Sequence, residues 1–310
     1  MMTAEERPIR IDIGICTYRR PELAETLTSL FEIAVPAGAE LRLIVADNDV
    51  GPSARGLVDG LRERSPFPIR YVHCPKSNIS IARNACLAES DADYLAFIDD
   101  DETAEPQWLV GLVSTAKRTG ADAVLGPVRA VYGTQSADWM RKGDFHSTMP
   151  VWVGGQIRTG YTCNTLLHMR SPVVAGRRFA LSLGQSGGED THFFTALTDV
   201  GGRIEFASDA MVEELVPEKR ASFSWLAKRR FRSGQTHGRI LASKNSGLSR
   251  LRQTGLACLK LGYCLALTAA TIPSPVARIR YALRAALHAG AVSGTLGIRE
   301  IRQYGAAEAL

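Results

Sequence analysis

No Cys-x-x-Cys pair occurs in these 310 residues. The six cysteines, Cys16, Cys74, Cys86, Cys163, Cys258 and Cys264, stand singly. Their scatter argues against structural zinc and a disulfide framework, and suits a reduced cytoplasm. An apolar leader is also missing, since Glu5, Glu6, Arg7 and Arg10 fall in the first ten residues, so no secretory signal is expected. The most membrane-like stretch, residues 256–272, is interrupted by Lys260 and leaves twelve uncharged residues, 261–272. That is short of the roughly 20 needed to span a bilayer, so the stretch reads as a buried or interfacial helix. Neither a G-x-G-x-x-G turn after the first strand nor a Walker-type G-x-x-x-x-G-K-[ST] is present, which removes the usual glycine cradles for nucleotide phosphates. Disordered and fibrous classes are excluded by a content of 45% hydrophobic and 22% charged residues, and the length suits one large domain with additions or two domains.

Acids are scarce in one region only. From Lys219 to Gln303, sixteen Lys and Arg face a single acid, Glu300, a local balance of +15 that leaves −10 on the rest of a chain with net charge +5. Such a segment suits a polyanion: an acidic membrane surface, a lipid diphosphate or nucleic acid. The alternative is a set of solvated helix faces whose arginines cover apolar surface and pair with the acidic part.

What is present begins with Leu95-Ala96-Phe97-Ile98-Asp99-Asp100-Asp101-Glu102, an apolar run that ends abruptly in four acids. A short apolar run predicts a buried strand, and its carboxyl end is where open α/β sheets place ligands. Stacked carboxylates repel, and a hard cation such as Mg²⁺ or Mn²⁺ stabilises them while sharing substrate phosphates. Taken alone, the run equally suits a solvated acidic turn that opens the next helix.

The context favours the first reading. Ile9, Ile11, Ile13 and Ile15 alternate with polar or small residues, predicting a strand, and Leu23, Leu27, Leu30 and Phe31 then recur at helical spacing after Pro21. The unit repeats at Leu41 with a helix from about Ser53, at Ile69 with a helix from about Ser80, and at Tyr94 with a helix from about Pro106. This alternation predicts an α/β fold with a doubly wound, mostly parallel sheet. One rim should then gather Thr17 and Tyr18, Asp47 and Asn48, and the acids Asp99 to Glu102. Residues 120–215, with short strands including 160–169 and 203–206, are expected to complete the same domain, and the chain from about Ser222 reads as helical and basic.

An acid after the second strand can accept hydrogen bonds from a base or ribose, and an Asp-x-Asp can hold a metal that neutralises a diphosphate leaving group. Arg83 is a candidate further positive charge, or a surface arginine. Glu189-Asp190 follows two glycines and suits either a helix cap or the general base that transfer to a hydroxyl needs.

Thr17-Tyr18-Arg19-Arg20-Pro21, Ala46-Asp47-Asn48, Asn78 with Ala82-Arg83-Asn84, Asp99-Asp100-Asp101 and Glu189-Asp190 stand in the order found in family 2 inverting glycosyltransferases of the GT-A fold, which the chain resembles over roughly residues 9–215. The stretches 16–27, 77–84 and 228–239 extend the resemblance, over nearly the whole chain, to bacterial glucosyltransferases of succinoglycan-type exopolysaccharide assembly. The resemblance implies a catalytic domain over 1–218 and a basic helical region over 219–310 that is membrane- or acceptor-associated. It implies transfer of β-linked glucose, in a β-1,4 linkage, from UDP-glucose to a polyprenyl-diphosphate-linked oligosaccharide at the cytoplasmic face of the inner membrane, with a divalent metal, Mn²⁺ or Mg²⁺, and no nucleic acid.

Position by position, the resemblance implies that Asp47 contacts the uracil or ribose and that Thr17 and Tyr18 line the base pocket. Asp99, Asp100 and Asp101 make up the carboxylate run, with Asp101 and Asp99 as metal ligands and Arg83 near the diphosphate. Asp190 would be the general base and Glu189 would orient the acceptor. Many relatives carry a His near the end of a later strand, whereas the corresponding stretch here is Met211-Val212-Glu213-Glu214-Leu215. Either Glu213 supplies an oxygen ligand or the third ligand is missing.

The arginines of residues 228–239 suit a clamp for a diphosphate or a solvated helix. Two other functions suit an α/β sheet with a basic tail. A sugar-nucleotide nucleotidyltransferase should show a Gly-rich basic loop after the first strand, which Cys16-Thr17-Tyr18-Arg19-Arg20-Pro21 is not. A non-enzymatic polyanion binder should show a nucleic-acid motif, which the basic region lacks.

Overall fold

A computed structural model describes residues 7–244 and 246–298. The chain opens with three β-α units: β1 (Ile9–Thr17), α1 (Leu23–Phe31), β2 (Ala39–Asp47), α2 (Arg55–Arg62), β3 (Ile69–His73) and α3 (Ile79–Glu89). Next come β4 (Tyr94–Asp99), β5 (Glu102–Ala104), α4 (Trp108–Thr119), β6 (Ala123–Leu125), β7 (Val128–Tyr132), α5 (Asp138–Gly143), β8 (Trp152–Val153), β9 (Gln156–Ile157) and β10 (Asn164–His168). The last part holds α6 (Glu189–Asp199), β11 (Ile204–Phe206), β12 (Val212–Val216), α7 (Phe223–Lys244), α8 (Gly247–Ala270) and α9 (Pro275–Thr295).

Seven strands form the main sheet in the order β11-β6-β10-β4-β1-β2-β3. Only β10 runs against its neighbours, so the sheet is mostly parallel, as the β-α alternation predicts. The predicted helix starts lie within about two residues of those observed. Buried on both faces, the central strands are nearly continuous in apolar residues. On one face Leu23, Leu27, Val58, Trp108 and Leu112 pack beneath α1, α2 and α4; on the other Cys86, Phe179, Phe193 and Phe194 pack with α3 and α6. Asp12, inside β1, stands opposite Arg42 of β2 and takes a bidentate pair of hydrogen bonds from it, both 2.8 Å, which satisfies an otherwise costly buried carboxylate.

Register brings the chemistry to one rim. Thr17 lies beside Asp47, and Cys16 beside Asp99. A smaller sheet, β5-β12-β7, flanks that rim and pairs Glu214 with Glu102.

The C-terminal helices α7 and α9 are held together by glycines at their contact. Gly234 and Gly238 of α7 face Gly290 and Gly294 of α9, and a Cβ on any of the four would run into backbone of the other helix. These two Gly-x-x-x-Gly pairs let the backbones touch, as in close-packed helix pairs generally, and Gln235 donates to Ser293 across the buried seam at 3.0 Å. Met140, Phe145, Leu226 and Leu283 form an apolar cluster that ties α7 and α9 to the α/β part of the chain. The helix expected over residues 256–272 is the later part of α8. It is not buried: among its residues only Ala257 and Cys264 are. Among the described residues no helix is long and apolar enough to cross a membrane.

Candidate active site

The carboxylate run leaves the end of β4 and turns into β5. The Asp99 amide donates to Glu102 at 3.0 Å, closing the turn that stacks the acids. Burial, with the neighbouring carboxylates, pushes Asp99 up to about 6 and Asp100 up to about 7, and holds Glu102 well above the usual carboxylate range. Asp101 faces two guanidinium groups, Arg20 and Arg220, each at 3.5 Å.

Glu214 belongs to this cluster and Glu213 does not. Successive strand residues point to opposite faces, so β12 sends Glu213 outward to Arg129 at 2.8 Å and Glu214 inward. There Glu214 accepts from Arg220 at 2.7 Å, and burial next to Asp101 raises its pKa. Of the two glutamates, Glu214 and not Glu213 therefore faces the carboxylate run. Asp99, Glu102 and Cys163 offer ligand atoms within 4.8 Å of one another; burial raises the Cys163 thiol well above its ordinary value, and a hard cation prefers the oxygens of the set. The donors at this rim are thus carboxylate oxygens that repel one another, a set that fits a hard divalent cation.

At the end of β1, Thr17 is buried while the next residue, Tyr18, is 40% exposed. The Tyr18 amide approaches Asp100 at 3.4 Å. Arg19, at a left-handed φ of 52°, sits 5.4 Å from the centre of the Tyr18 ring and donates to Asp49 at 2.9 Å.

Asp47 turns inward. Its carboxylate accepts from the Asp49 amide (3.0 Å), the Ala54 amide (2.9 Å) and the Tyr71 hydroxyl (2.6 Å), and the residue is fully buried. These three bonds let Asp47 shape the β2–α2 loop. Asn48, unremarked in the sequence beyond its place on the rim, accepts from the Asn78 amide at 3.0 Å and couples that loop to the start of α3.

At the start of α6, Gly187 and Gly188 hold φ of +87° and +89°, and they turn the chain so that the helix begins at Glu189. The side chain of Thr236 on α7 fills the space where a Gly188 Cβ would sit, and Arg232 donates to the Ser186 carbonyl at 3.2 Å. The basic helix therefore braces the loop. Asp190 is half-buried, with Oδ1 accepting from the Thr191 amide at 2.6 Å. Its charge is felt at Asp99 and at Arg83.

Glu189 and Arg83 form a buried ion pair. Burial works against the Arg83 charge, yet Glu189, Asp99 and Asp190 hold it protonated. Arg83 is thus buried within the electrostatic reach of Asp99, and one Glu189 carboxylate oxygen is taken up by the pair. The cations nearest Asp101 are Arg20 and Arg220. Arg220 and Arg229 flank the Trp225 ring at 5.8 Å and 5.4 Å, and they too act on Glu214.

Comparison with known proteins agrees with this architecture. The chain is 62% identical over 300 residues to the succinoglycan biosynthesis protein ExoM of Rhizobium meliloti (strain 1021), covering 97% of each chain. A mannosyltransferase from Pyrobaculum calidifontis, solved with GDP-Man and Mn²⁺, superposes with a TM-score of 0.64 at 17% identity, covering 94% of this chain and 88% of that one. Residues 1–349 of S. aureus TarS, solved with UDP-GlcNAc, superpose with a TM-score of 0.54 at 14% identity, covering 94% and 93%. Residues 12–182 match the description Glycosyl transferase family 2. With that match and the near-full-length identity, the chain belongs to glycosyl transferase family 2 and is a glycosyltransferase of the GT-A fold.

Proposed function

We propose that this enzyme is an inverting glucosyltransferase of succinoglycan-type exopolysaccharide assembly. It transfers β-linked glucose, in a β-1,4 linkage, from UDP-glucose to a polyprenyl-diphosphate-linked oligosaccharide at the cytoplasmic face of the inner membrane. The observation that carries the reading is the placement of Asp190 in the first turn of α6, next to Glu189, whose buried pair with Arg83 ties that turn to α3 and sets Arg83 between the charges of Asp190 and Asp99. A base and an anionic cation site then share one rim, which is what transfer from a nucleotide diphosphate to a hydroxyl requires. The 62% identity to the succinoglycan biosynthesis protein ExoM supports the pathway. The UDP-GlcNAc and GDP-Man complexes of proteins sharing the fold support a nucleotide-sugar donor.

In this reading Tyr18 offers its exposed ring as a stacking surface for uracil, Thr17 closes the pocket floor, and Asp47 holds the adjoining loop. Asp101 and Asp99, flanked by Asp100 and Glu214, would hold a divalent Mn²⁺ or Mg²⁺ that neutralises the leaving diphosphate when bound. Asp190 takes the proton from the acceptor hydroxyl as its oxygen bonds to the anomeric carbon. The bond from that carbon to the phosphate oxygen breaks on the opposite face, and its electron pair leaves with UDP, inverting the centre. Arg20 and Arg220 add positive charge beside Asp101.

The test is UDP release from UDP-glucose with Mn²⁺ or Mg²⁺, with and without lipid-linked oligosaccharide. Metal-dependent release that rises with acceptor is expected; nucleotide binding without release from any UDP-sugar would overturn the reading. Asp101→Ala is expected to weaken metal-dependent UDP binding by at least ~10-fold, the scale on which even residues supporting metal ligands act. Titration calorimetry in the presence and absence of metal reads this directly, and equal affinities for variant and wild type would remove Asp101 from the cation site.

A further inference from the structure

Among the described residues, nothing covers the face of α8 turned away from α9. Ala257 and Cys264, seven residues apart, mark the side packed on the rest of the protein. At 100° per residue the opposite side carries Leu248, Leu251, Gly255, Leu259, Gly262 and Ala266, all exposed. Leu248 is 84% exposed, Leu251 68% and Leu259 72%. A contiguous apolar stripe of this kind is uncommon on a soluble monomer and marks a contact surface.

Charge identifies the occupant. No Asp or Glu occurs between Lys219 and Ile298, while Arg252 and Lys260 on α8 and Arg278, Arg280 and Arg284 on α9 are all exposed. A second copy of the chain would set two such basic regions against each other, whereas anionic lipid headgroups neutralise them. An apolar face bordered by cations, too short in its apolar run to span, has the character of a helix that lies in the bilayer interface.

We propose that α8 is the membrane-docking element of this enzyme, lying along an anionic phospholipid surface with Leu251 and Leu259 in the acyl boundary. The proposal rests on the reading of a lipid-linked acceptor and gives that reading a geometry. The α7–α9 glycine seam and the α7 contacts with Ser186 and Gly188 would hold Asp190 at a fixed relation to the bilayer.

Flotation of the full chain with phosphatidylcholine vesicles, and with vesicles also containing phosphatidylglycerol, tests it. Binding is expected to the anionic vesicles, to weaken as salt rises, and to fall by ~10-fold or more in Leu251→Glu/Leu259→Glu. That variant should keep the wild-type melting temperature and metal-dependent UDP release. A Tyr263→Trp variant should show fluorescence quenching by brominated lipid in the same vesicles. Three outcomes would overturn the proposal: no flotation of the wild type with anionic vesicles, equal flotation of the double variant, or a wild-type dimer in solution that the double variant converts to monomer without lipid binding. Flotation that survives while lipid-linked acceptors go unused would overturn only the acceptor reading.

Discussion

Asp190→Asn is expected to lower transfer by about 10² to 10⁴-fold, the usual worth of a general base, with UDP-glucose affinity within about twofold of wild type. The substitution is nearly isosteric. The asparagine carbonyl can still accept from the Thr191 amide, which now bonds Oδ1 at 2.6 Å, so the start of α6 is preserved. What is lost is the capacity to take a proton from the acceptor hydroxyl. Helix capping does not account for the residue, because the cap position is Gly188 and Asp190 lies inside the first turn. Its interaction with the helix dipole is worth only about 0.5 kcal/mol. Single-turnover transfer, measured alongside calorimetric UDP binding, separates chemistry from affinity. Turnover near the wild-type level would take the base away from Asp190.

Most of the catalytic rim is legible in the sequence because it is written in local periodicity. Ile9 to Ile15 alternate, Leu23, Leu27 and Leu30 follow at helical spacing, and the acids of 99–102 terminate an apolar strand; each signal lies within about ten residues. Side-chain direction is a different matter, since it depends on register with distant strands. Glu213 and Glu214 are equivalent in composition, and only the pairing of β12 with β5 and β7 sends one to Arg129 and the other to Asp101. Asp47 reads as a ligand-facing acid until Tyr71 of the neighbouring strand claims its carboxylate.

The helical region shows the same division. Its charge is plain in the sequence, but its attachment is not, because a glycine on α7 reports a close approach only when its counterpart on α9 is known. The spacing of Gly234 with Gly238, and of Gly290 with Gly294, was nevertheless a readable signal for a tight helix pair.

Glu189→Gln is the second substitution with a large expected effect. Arg83 and Glu189 are 106 residues apart in sequence and meet where their side chains are only 9% and 6% exposed. Removing one charge leaves the other buried, which typically costs about 3–5 kcal/mol. Asp99 and Asp190 remain near Arg83 and should hold the loss to the lower end of that range. For a domain of this size the melting temperature should fall on the order of 10 °C. Replacing both partners, Arg83→Met with Glu189→Leu, leaves no orphan charge and should recover much of that stability. Transfer should stay low in the double variant, because the carboxylate run loses the cation beneath it and α6 loses its tie to α3. Melting curves and UDP release on the same preparations decide the case. A Glu189→Gln enzyme that melts with the wild type but needs more acceptor would mean that Glu189 serves the acceptor after all.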